Sequence, residues 1–149
     1  MKTVLFVCTG NTCRSPMAAA LANNIFKSRG IAAMAVSRGV FAVDDADASK
    51  NAVAAMKDGW NADISGHKAK MTDETALEAA YIIITMTAGH KSHLLALYPD
   101  FADKIYAIRD IDGGGRDIDD PFGANLDVYL RCAKQIESFL NSFDWEGYA

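Results

Sequence analysis

The run Cys8-Thr9-Gly10-Asn11-Thr12-Cys13-Arg14-Ser15 most constrains the fold, because it joins an apolar strand to a helix. Apolar residues 4–7 before it predict a buried strand, and Pro16 after it suits a first helical turn. Backbone N–H groups in a tight turn form a concave anion site, and the helix N-terminus adds unpaired N–H groups. Arg14 adds a planar fork that binds two phosphate oxygens. The run therefore predicts a loop that binds a tetrahedral anion without a metal.

Cys8 stands at the start of this predicted loop, where its thiol can face the anion. Positive potential from the loop favours the thiolate, so we expect its pKa to fall into the range of about 3.5–7.5 seen for activated cysteines. A thiolate beside phosphorus attacks it and forms a phosphocysteine, which water later hydrolyses. The alternative is a buried structural thiol, with Arg14 as a surface cation. The strand-loop-helix context favours the nucleophile.

The residues that follow Cys8 are suited to hold an anion. Gly10 allows close approach of the backbone, and Ser15 is a preferred residue at a helix N-cap. We expect Asn11 to hold the loop by side-chain hydrogen bonds. The phosphate-binding loop is assigned to Thr9, Gly10, Asn11, Thr12, Cys13 and Ser15.

A proton donor is expected in the site, because departure of an alcohol, phenol or guanidine from phosphorus is helped by an acid. Asp120 precedes Pro121, which favours extended backbone, in a long acidic loop over residues 110–125. A bound phosphate dianion and a thiolate would raise its pKa above the usual value of about 3.9. We assign Asp120 as the acid, with a simple turn residue as the alternative. Asp117 and Asp119 lack the Pro neighbour.

Hydrophobic spacing predicts strands that alternate with helices. Strands are predicted over residues 4–8, 34–37, 81–86 and 104–108. Helices are predicted over residues 16–28, 49–58, 72–80, 88–98 and 125–143, with Ser49 and Thr87 as caps and Gly30, Gly59 and Pro99 as stops. We expect the apolar stripe of the last helix to pack against the sheet. The alternation predicts an α/β fold, with a parallel sheet covered by helices on both faces.

At these residues the chain resembles the low-molecular-weight protein tyrosine phosphatase family. The family signature is Cys-x5-Arg-Ser-Pro near the N-terminus and an Asp-Pro acid loop late in the chain. Residues 8–16 supply the first motif, and Asp120-Pro121-Phe122-Gly123 supplies the second. Thr12 and the second motif look most like the bacterial protein-arginine phosphatases, since tyrosine-specific members more often carry a bulky aliphatic residue at the position of Thr12. The resemblance covers essentially all 149 residues and implies one phosphatase domain over 1–149.

The resemblance implies a three-layer α/β fold whose four parallel strands lie in the order 2-1-3-4. It implies hydrolysis of phosphotyrosine or phosphoarginine in proteins through a phosphocysteine on Cys8, without a cofactor. His67 resembles the family histidine that orients the loop asparagine, and a structural or surface role is its alternative. Cys13 resembles the second cysteine that forms a reversible disulfide with the nucleophile, and a small buried side chain is its alternative.

Substrate preference is expected to depend on Thr12, whose hydroxyl can hydrogen-bond a guanidinium-like leaving group. A large aliphatic residue there would instead favour a flat phenol. Phe41 and Phe122 are candidates for the walls of the substrate pocket or for core packing. The chain departs from the common family pattern at Ala19, where many members have Glu, and at Arg38, where many have Ala. We expect Arg38 to change the charge at the rim of the site.

Composition limits the partners of the chain. Its 149 residues carry 15 Lys and Arg against 19 Asp and Glu, a net charge of −4 without a basic cluster, so no nucleic-acid partner is predicted. We expect phosphorylated proteins as substrates, and phosphate and other oxyanions as inhibitors. The apolar residues 4–8 are too short for a signal peptide or a membrane span, which favours a cytoplasmic protein with free thiols. His90 and His93 lie without further metal-ligating residues around them, so no metal site is predicted.

Two other functions are compatible with an anion loop that contains a thiol. A thiol-dependent arsenate reductase needs a further pair of resolving cysteines near the third strand, and residues 81–91 contain none. A phosphocysteine carrier needs neither fast hydrolysis nor an acid, so the combination of Arg14 with Asp120 argues against it.

Overall fold

The computed structural model describes residues 1–111 and 115–147, in which strands and helices alternate along most of the chain, as predicted. The strands are β1 (Lys2–Cys8), β2 (Ala33–Gly39), β3 (Ile82–Thr85) and β4 (Ile105–Ala107). The helices are α1 (Arg14–Arg29), α2 (Lys50–Trp60), α3 (Glu74–Ala79), α4 (Ala88–Leu97), α5 (Ile108–Ile111) and α6 (Leu126–Ser142), with a 3₁₀ helix at Pro99–Lys104. Part of the predicted loop over 110–125, residues 112–114, lies outside the described residues.

All four strands are parallel and lie in the order β2-β1-β3-β4, which confirms the predicted order. β1 occupies a central position, because residues 4–8 are apolar and buried. Its last residue, Cys8, pairs with Gly39 at the end of β2. The carboxyl ends of the strands meet at one edge, and the strand order reverses beside β1, where open α/β sheets bind ligands.

Helices cover both faces of the sheet, which confirms the three-layer architecture. Alternate residues of β1 point to opposite faces. Cys8 belongs to the larger core, which contains residues of α1, α2 and α6. Leu5 and Val7 belong to the smaller core, where they meet Leu77 of α3 and Leu94 of α4. Cys8 therefore lies on the side of the sheet that α1 covers.

Several helix ends have the predicted caps. Ser49 accepts a hydrogen bond from the backbone N–H of Ala52 (3.3 Å), and Thr87 accepts one from that of His90 (3.1 Å). Gly30 ends α1 in the left-handed conformation (φ 67°), which glycine adopts without strain. These contacts pair N–H groups at the starts of α2 and α4 that have no partner within the helix.

Two of the predicted helix boundaries are wrong. Ser15 is not an N-cap residue, because α1 begins at Arg14 and the Ser15 side chain turns inward to Cys8 and Asn11. Gly59 does not end α2, because the helix continues to Trp60 and closes with Asn61 in the left-handed conformation (φ 50°). Asparagine tolerates this backbone conformation better than most residues do.

Helix α6 packs against other helices. Asn125 caps it by accepting from the backbone N–H of Val128 (3.2 Å), and its apolar stripe is buried over Tyr129, Ala133, Ile136 and Leu140. The stripe belongs to the larger core, which also contains buried residues of β1 and β3, so its expected packing on this face of the sheet is confirmed. Its neighbouring helices are α1 and α2. Neither α6 nor any other helix in the described ranges has the length and apolar composition needed to cross a membrane.

The segment that carries Asp120 is held at the carboxyl edge of the sheet. Ile118 is fully buried, and its backbone N–H donates to the carbonyl oxygen of Met86, just after β3 (2.9 Å). Asp117 accepts from the backbone N–H of Ala88 at the start of α4 (2.9 Å). These two contacts bring a segment late in the chain to the end of β1.

Candidate active site

Asn11 fixes the loop that joins β1 to α1. Its backbone is left-handed (φ 57°), and its side chain is fully buried. The amide nitrogen donates to Ser15 Oγ (2.9 Å), and the amide oxygen accepts from the backbone N–H of Lys70 (2.9 Å). His67 Nε2 lies 2.7 Å from the backbone carbonyl oxygen of Asn11, to which it donates. Both sequence-predicted supports of the loop are therefore placed in direct contact with it.

Gly39 leaves room for the backbone of the loop because it has no side chain. A Cβ atom at this position would lie 2.5 Å from the carbonyl oxygen of Thr9 and 3.0 Å from the backbone nitrogen of Asn11. The following turn continues the contact, since Val40 N–H donates to Cys8 O and Phe41 N–H to Thr9 O (both 2.9 Å). The end of β2 thus sets the path of the phosphate-binding loop.

Cys8, Arg14 and Asp120, the three predicted catalytic residues, line one cavity of about 240 Å³. The complete lining is Cys8, Thr9, Gly10, Thr12, Cys13, Arg14, Asp120 and Phe122. A thiol, a guanidinium and a carboxyl group therefore face the same small space. Asn11 and Ser15 do not line it and act from behind the loop.

The Cys8 thiol is buried and hydrogen-bonded. Ser15 Oγ lies 2.8 Å from Cys8 Sγ. Burial raises the pKa of the Cys8 thiol above its ordinary value, whereas the Ser15 hydrogen bonds and the charge of Arg14 lower it. The expected fall of this pKa is therefore wrong, because removal of the sulfur from water outweighs the groups that stabilise the thiolate. The Ser15 side chain is the largest of those groups.

Arg14 is held by acceptors from two separate segments. Its Nη1 donates to the carbonyl oxygen of Ile118 (2.9 Å), and its Nη2 donates to Thr9 Oγ1 (3.3 Å). Nη2 also lies 3.7 Å from Asp120 Oδ2. The side chain is almost fully buried, so these contacts fix the direction of the guanidinium plane. The cation is thereby oriented before any anion arrives.

His90 also belongs to the site, although no sequence motif singles it out beyond the pair it forms with His93. It is 8% exposed, and its Nε2 lies 2.8 Å from Thr9 Oγ1, the oxygen that accepts from Arg14. Burial, followed by the charge of Arg14, lowers the pKa of His90 to about 4, so the ring is neutral near pH 7. Its position just after β3, beside β1 in the sheet, is the signal that could have revealed it.

Asp120 is the only one of the three candidate acids that lines the cavity with Cys8. Its side chain is 53% exposed, and its Oδ1 accepts from the backbone N–H of Phe122 (3.0 Å). Asp117 is engaged at the start of α4, and Asp119 faces a neighbouring cavity together with Asp120. Of these three carboxyl groups, that of Asp120 therefore faces the space beside Cys8.

Residues 3–145 match the family model described as low molecular weight phosphotyrosine protein phosphatase. The chain belongs to this family. It is 36% identical over 141 residues to a protein-arginine-phosphatase of Geobacillus stearothermophilus, a match that covers 93% of this chain and 90% of the relative. The family assignment agrees with the fold and with the cavity beside Cys8.

Two solved structures are similar over nearly the whole chain. The low molecular weight protein tyrosine phosphatase from T. tengcongensis has a TM-score of 0.92 and 41% identity, over 95% of this chain and 97% of that one. A YwlE arginine phosphatase mutant with a phosphorylated active-site serine has a TM-score of 0.90 and 32% identity, over 94% and 91%. In that mutant a serine replaces a cysteine, and the phosphorylated active-site serine is consistent with a phosphoenzyme intermediate on cysteine in this family.

The three residues that were expected to affect substrate preference lie at different distances from the cavity of this phosphatase. Thr12 and Phe122 line the cavity, and Phe122 is 74% exposed at its mouth. Phe41 is 63% exposed and packs against His93 (ring centroids 4.9 Å apart), outside the cavity lining. Core packing is therefore wrong for both aromatic rings. Phe122 is placed as a wall of the site and Phe41 as a more distant surface residue.

The Cys13 thiol contacts a cluster of hydroxyl groups. Its Sγ lies 3.3 Å from Ser49 Oγ and 3.4 Å from Tyr129 OH, and these two oxygens are themselves 3.4 Å apart. All three cysteines of the phosphatase are buried free thiols. Burial raises the pKa of Cys132 to about 12, so this third thiol stays protonated. The redox role of Cys13 remains a prediction.

Arg38 does not line the cavity that contains Cys8. Its Nη1 donates to the carbonyl oxygen of Ser37 (2.9 Å), and its side chain lines a separate groove on the other side of the loop, together with Ala19. The expectation that Arg38 changes the rim of the site is therefore wrong, because β2 directs the side chain elsewhere. Within residues 1–111 and 115–147, no group of three His, Cys, Asp or Glu side chains is arranged to hold a metal ion.

Replacement of Ser15 by Ala tests how the thiolate is stabilised. Ser15→Ala removes the largest contribution that lowers the pKa of Cys8, so that pKa should rise further. The measurement is the rate at which iodoacetamide alkylates Cys8 as a function of pH, followed by peptide mass mapping. We expect the midpoint of the profile to move to higher pH in Ser15→Ala and to stay in place in Ser28→Ala, an exposed change on the same helix. Equal midpoints in both variants would contradict the role of Ser15.

Proposed function

We propose that Cys8, Arg14 and Asp120 carry out the hydrolysis of phosphorylated protein side chains. The observation that carries the proposal is that a buried thiol, a fixed guanidinium and an exposed carboxyl group line one cavity of about 240 Å³. Arg14 and the backbone N–H groups of Thr9–Cys13 bind the phosphoryl oxygens. Phosphate and other oxyanions occupy the same loop and inhibit. A cytoplasmic location and the absence of nucleic-acid partners stay predictions.

The reaction proceeds in two displacements. The Cys8 thiol passes its proton to an oxygen of the bound phosphoryl group. The thiolate, which accepts a hydrogen bond from Ser15, then attacks phosphorus as the bond from phosphorus to the leaving oxygen or nitrogen breaks. Asp120 gives its proton to that leaving atom. The Asp120 carboxylate then takes a proton from water as the water attacks the phosphocysteine. The products are phosphate, the Cys8 thiolate and protonated Asp120.

The leaving group that this site favours is the guanidine of phosphoarginine over the phenol of phosphotyrosine. Thr12 lines the cavity between Cys8 and Arg14 along the loop, and it places a hydroxyl where a bulky aliphatic residue would add apolar surface. A guanidine has N–H groups that can donate hydrogen bonds to the hydroxyl oxygen, whereas a phenyl ring has no such donors. The similarity to a protein-arginine-phosphatase supports the same preference.

Replacement of Asp120 by Asn tests the proton donor. Asp120→Asn keeps the shape of the side chain and removes the proton, so kcat/KM on phosphotyrosine peptides, which reports the first displacement, should fall by about 10²-fold or more, the usual size of acid–base catalysis. The loss should be smaller with p-nitrophenyl phosphate, whose leaving group needs little protonation. Asp119→Asn is the matched control, because Asp119 lies outside the cavity with Cys8, and its kcat/KM should stay near wild type. An equal loss with both substrates would contradict the role.

Replacement of Thr12 by Ile tests the substrate preference. Thr12→Ile removes the hydroxyl and adds apolar surface, so the ratio of kcat/KM for phosphoarginine peptides to that for phosphotyrosine peptides should fall by about tenfold or more. Thr75→Ile, an exposed change on α3, is the matched control and should leave the ratio unchanged. A ratio that is the same in Thr12→Ile and wild type would contradict the preference while leaving the phosphatase reaction intact.

A further inference from the structure

A second and larger concave site lies on the other side of the phosphate-binding loop. This groove has a volume of about 620 Å³ and lies between the first turns of α1, the outer edge of β2 and residues 62–70. Its volume is in the range of sites that bind small molecules. It shares no lining residue with the cavity that contains Cys8. A molecule in the groove would therefore not compete for the catalytic thiol.

The groove concentrates positive charge in a protein whose net charge is −4. Arg38, Lys68 and Lys70 line it, against one carboxylate, Asp63. Lys68 is paired with Asp47, which leaves Arg38 and Lys70 as the cations available to a ligand. The Arg38 guanidinium is oriented by donation from Nη1 to the carbonyl oxygen of Ser37 (2.9 Å), and its other N–H groups remain to meet an anion.

The outer edge of β2 adds a backbone donor to the same groove. β2 is an edge strand, and the outward N–H groups of Ala35 and Gly39 are bonded to Asn23 Oδ1 (2.8 Å) and to the carbonyl oxygen of Lys70 (3.0 Å). Residues two apart in a strand direct their N–H groups to the same side. The N–H of Ser37 therefore points into the groove beside Arg38, where it can donate to an anion.

We infer that this groove binds a small molecule that carries a phosphate or carboxylate group. Arg38 supplies a planar fork for two oxygens, Lys70 a second charge, and the Ser37 N–H a directional donor. The two departures from the family pattern coincide here, since both Ala19 and Arg38 line the groove. Ala19 avoids the carboxylate that many members carry at that position, and Arg38 adds a cation, so both changes favour an anion.

The wall between the groove and the loop consists of residues that hold the nucleophile. The backbone N–H of Lys70 donates to Asn11, and the carbonyl oxygen of Arg38 accepts from Ser15 Oγ (3.3 Å). These contacts use backbone atoms, so truncation of the Arg38 or Lys70 side chain removes a cation from the groove and keeps the support of the loop. The groove can therefore be tested separately from the catalytic site.

The test uses protein that is alkylated at Cys8 by iodoacetamide, so that the catalytic loop is blocked. This protein is titrated with inorganic pyrophosphate and, in a second arm, with citrate. Amide chemical shifts in ¹⁵N-labelled protein locate the binding. We expect saturable shifts at Ser37, Arg38 and Lys70 with at least one probe, and affinity about tenfold weaker in Arg38→Ala and Lys70→Ala, as for loss of a charged hydrogen bond. Ala19→Glu should weaken binding as well. Lys27→Ala, on an exposed position of α1 outside the groove, should leave it unchanged.

Two outcomes would overturn the inference. One is the absence of saturable shifts with both probes up to about 10 mM, an affinity too weak to hold a metabolite. The other is binding that weakens equally in Lys27→Ala and Arg38→Ala, which would show diffuse attraction to surface charge. Thermal unfolding of each variant checks that it is folded. Neither outcome bears on the phosphatase reaction, because the catalytic loop is blocked throughout.

Discussion

The two hydrogen bonds of the Asn11 side chain are the contacts on which the rest of the site depends. They join the segment after α2, through Lys70, to the loop, and they join the loop to α1 through Ser15. The Ser15 hydroxyl then reaches Cys8, so a chain of three side chains sets the surroundings of the sulfur. Because a buried polar group left unsatisfied costs about 1–3 kcal/mol, the paired amide holds Asn11 in its left-handed conformation.

The parallel sheet collects the other parts of the site at one edge. The phosphate-binding loop follows β1, His90 follows β3, and the segment that carries Asp120 is bonded to Met86 just beyond β3. Arg14 contacts two of these parts directly, the loop through Thr9 and the late segment through Ile118 and Asp120. His90 is joined to it through Thr9 Oγ1, which both side chains contact. The cation that we propose binds phosphate is thus positioned by the same segment that carries the proposed acid. In the proposed reaction, anion binding and proton transfer are connected through this one side chain.

Features that are local in sequence could be predicted, and features that depend on distant packing could not. The strand-loop-helix around Cys8 and the caps at Ser49 and Thr87 follow from neighbouring residues. The strand order was available only through the family resemblance, because periodicity cannot show which strands pair. Three features depend on elements that are remote in sequence. They are the packing of α6 against α1 and α2, the contact of His90 with the loop, and the groove beside Arg38. The pKa of Cys8 was misjudged because a motif shows the charges around a thiol but not how completely it is buried.

The most direct test of the catalytic role of Cys8 is detection of phosphate on its sulfur. Asp120→Asn protein is mixed with p-nitrophenyl phosphate, denatured within the first turnovers, digested, and its cysteine peptides are weighed by mass spectrometry. We predict that phosphate appears on the peptide containing Cys8 at the rate of the p-nitrophenol burst, and that Cys8→Ser protein does not turn over. Turnover without phosphate on Cys8, or phosphate on Cys13 or Cys132 instead, would contradict the account.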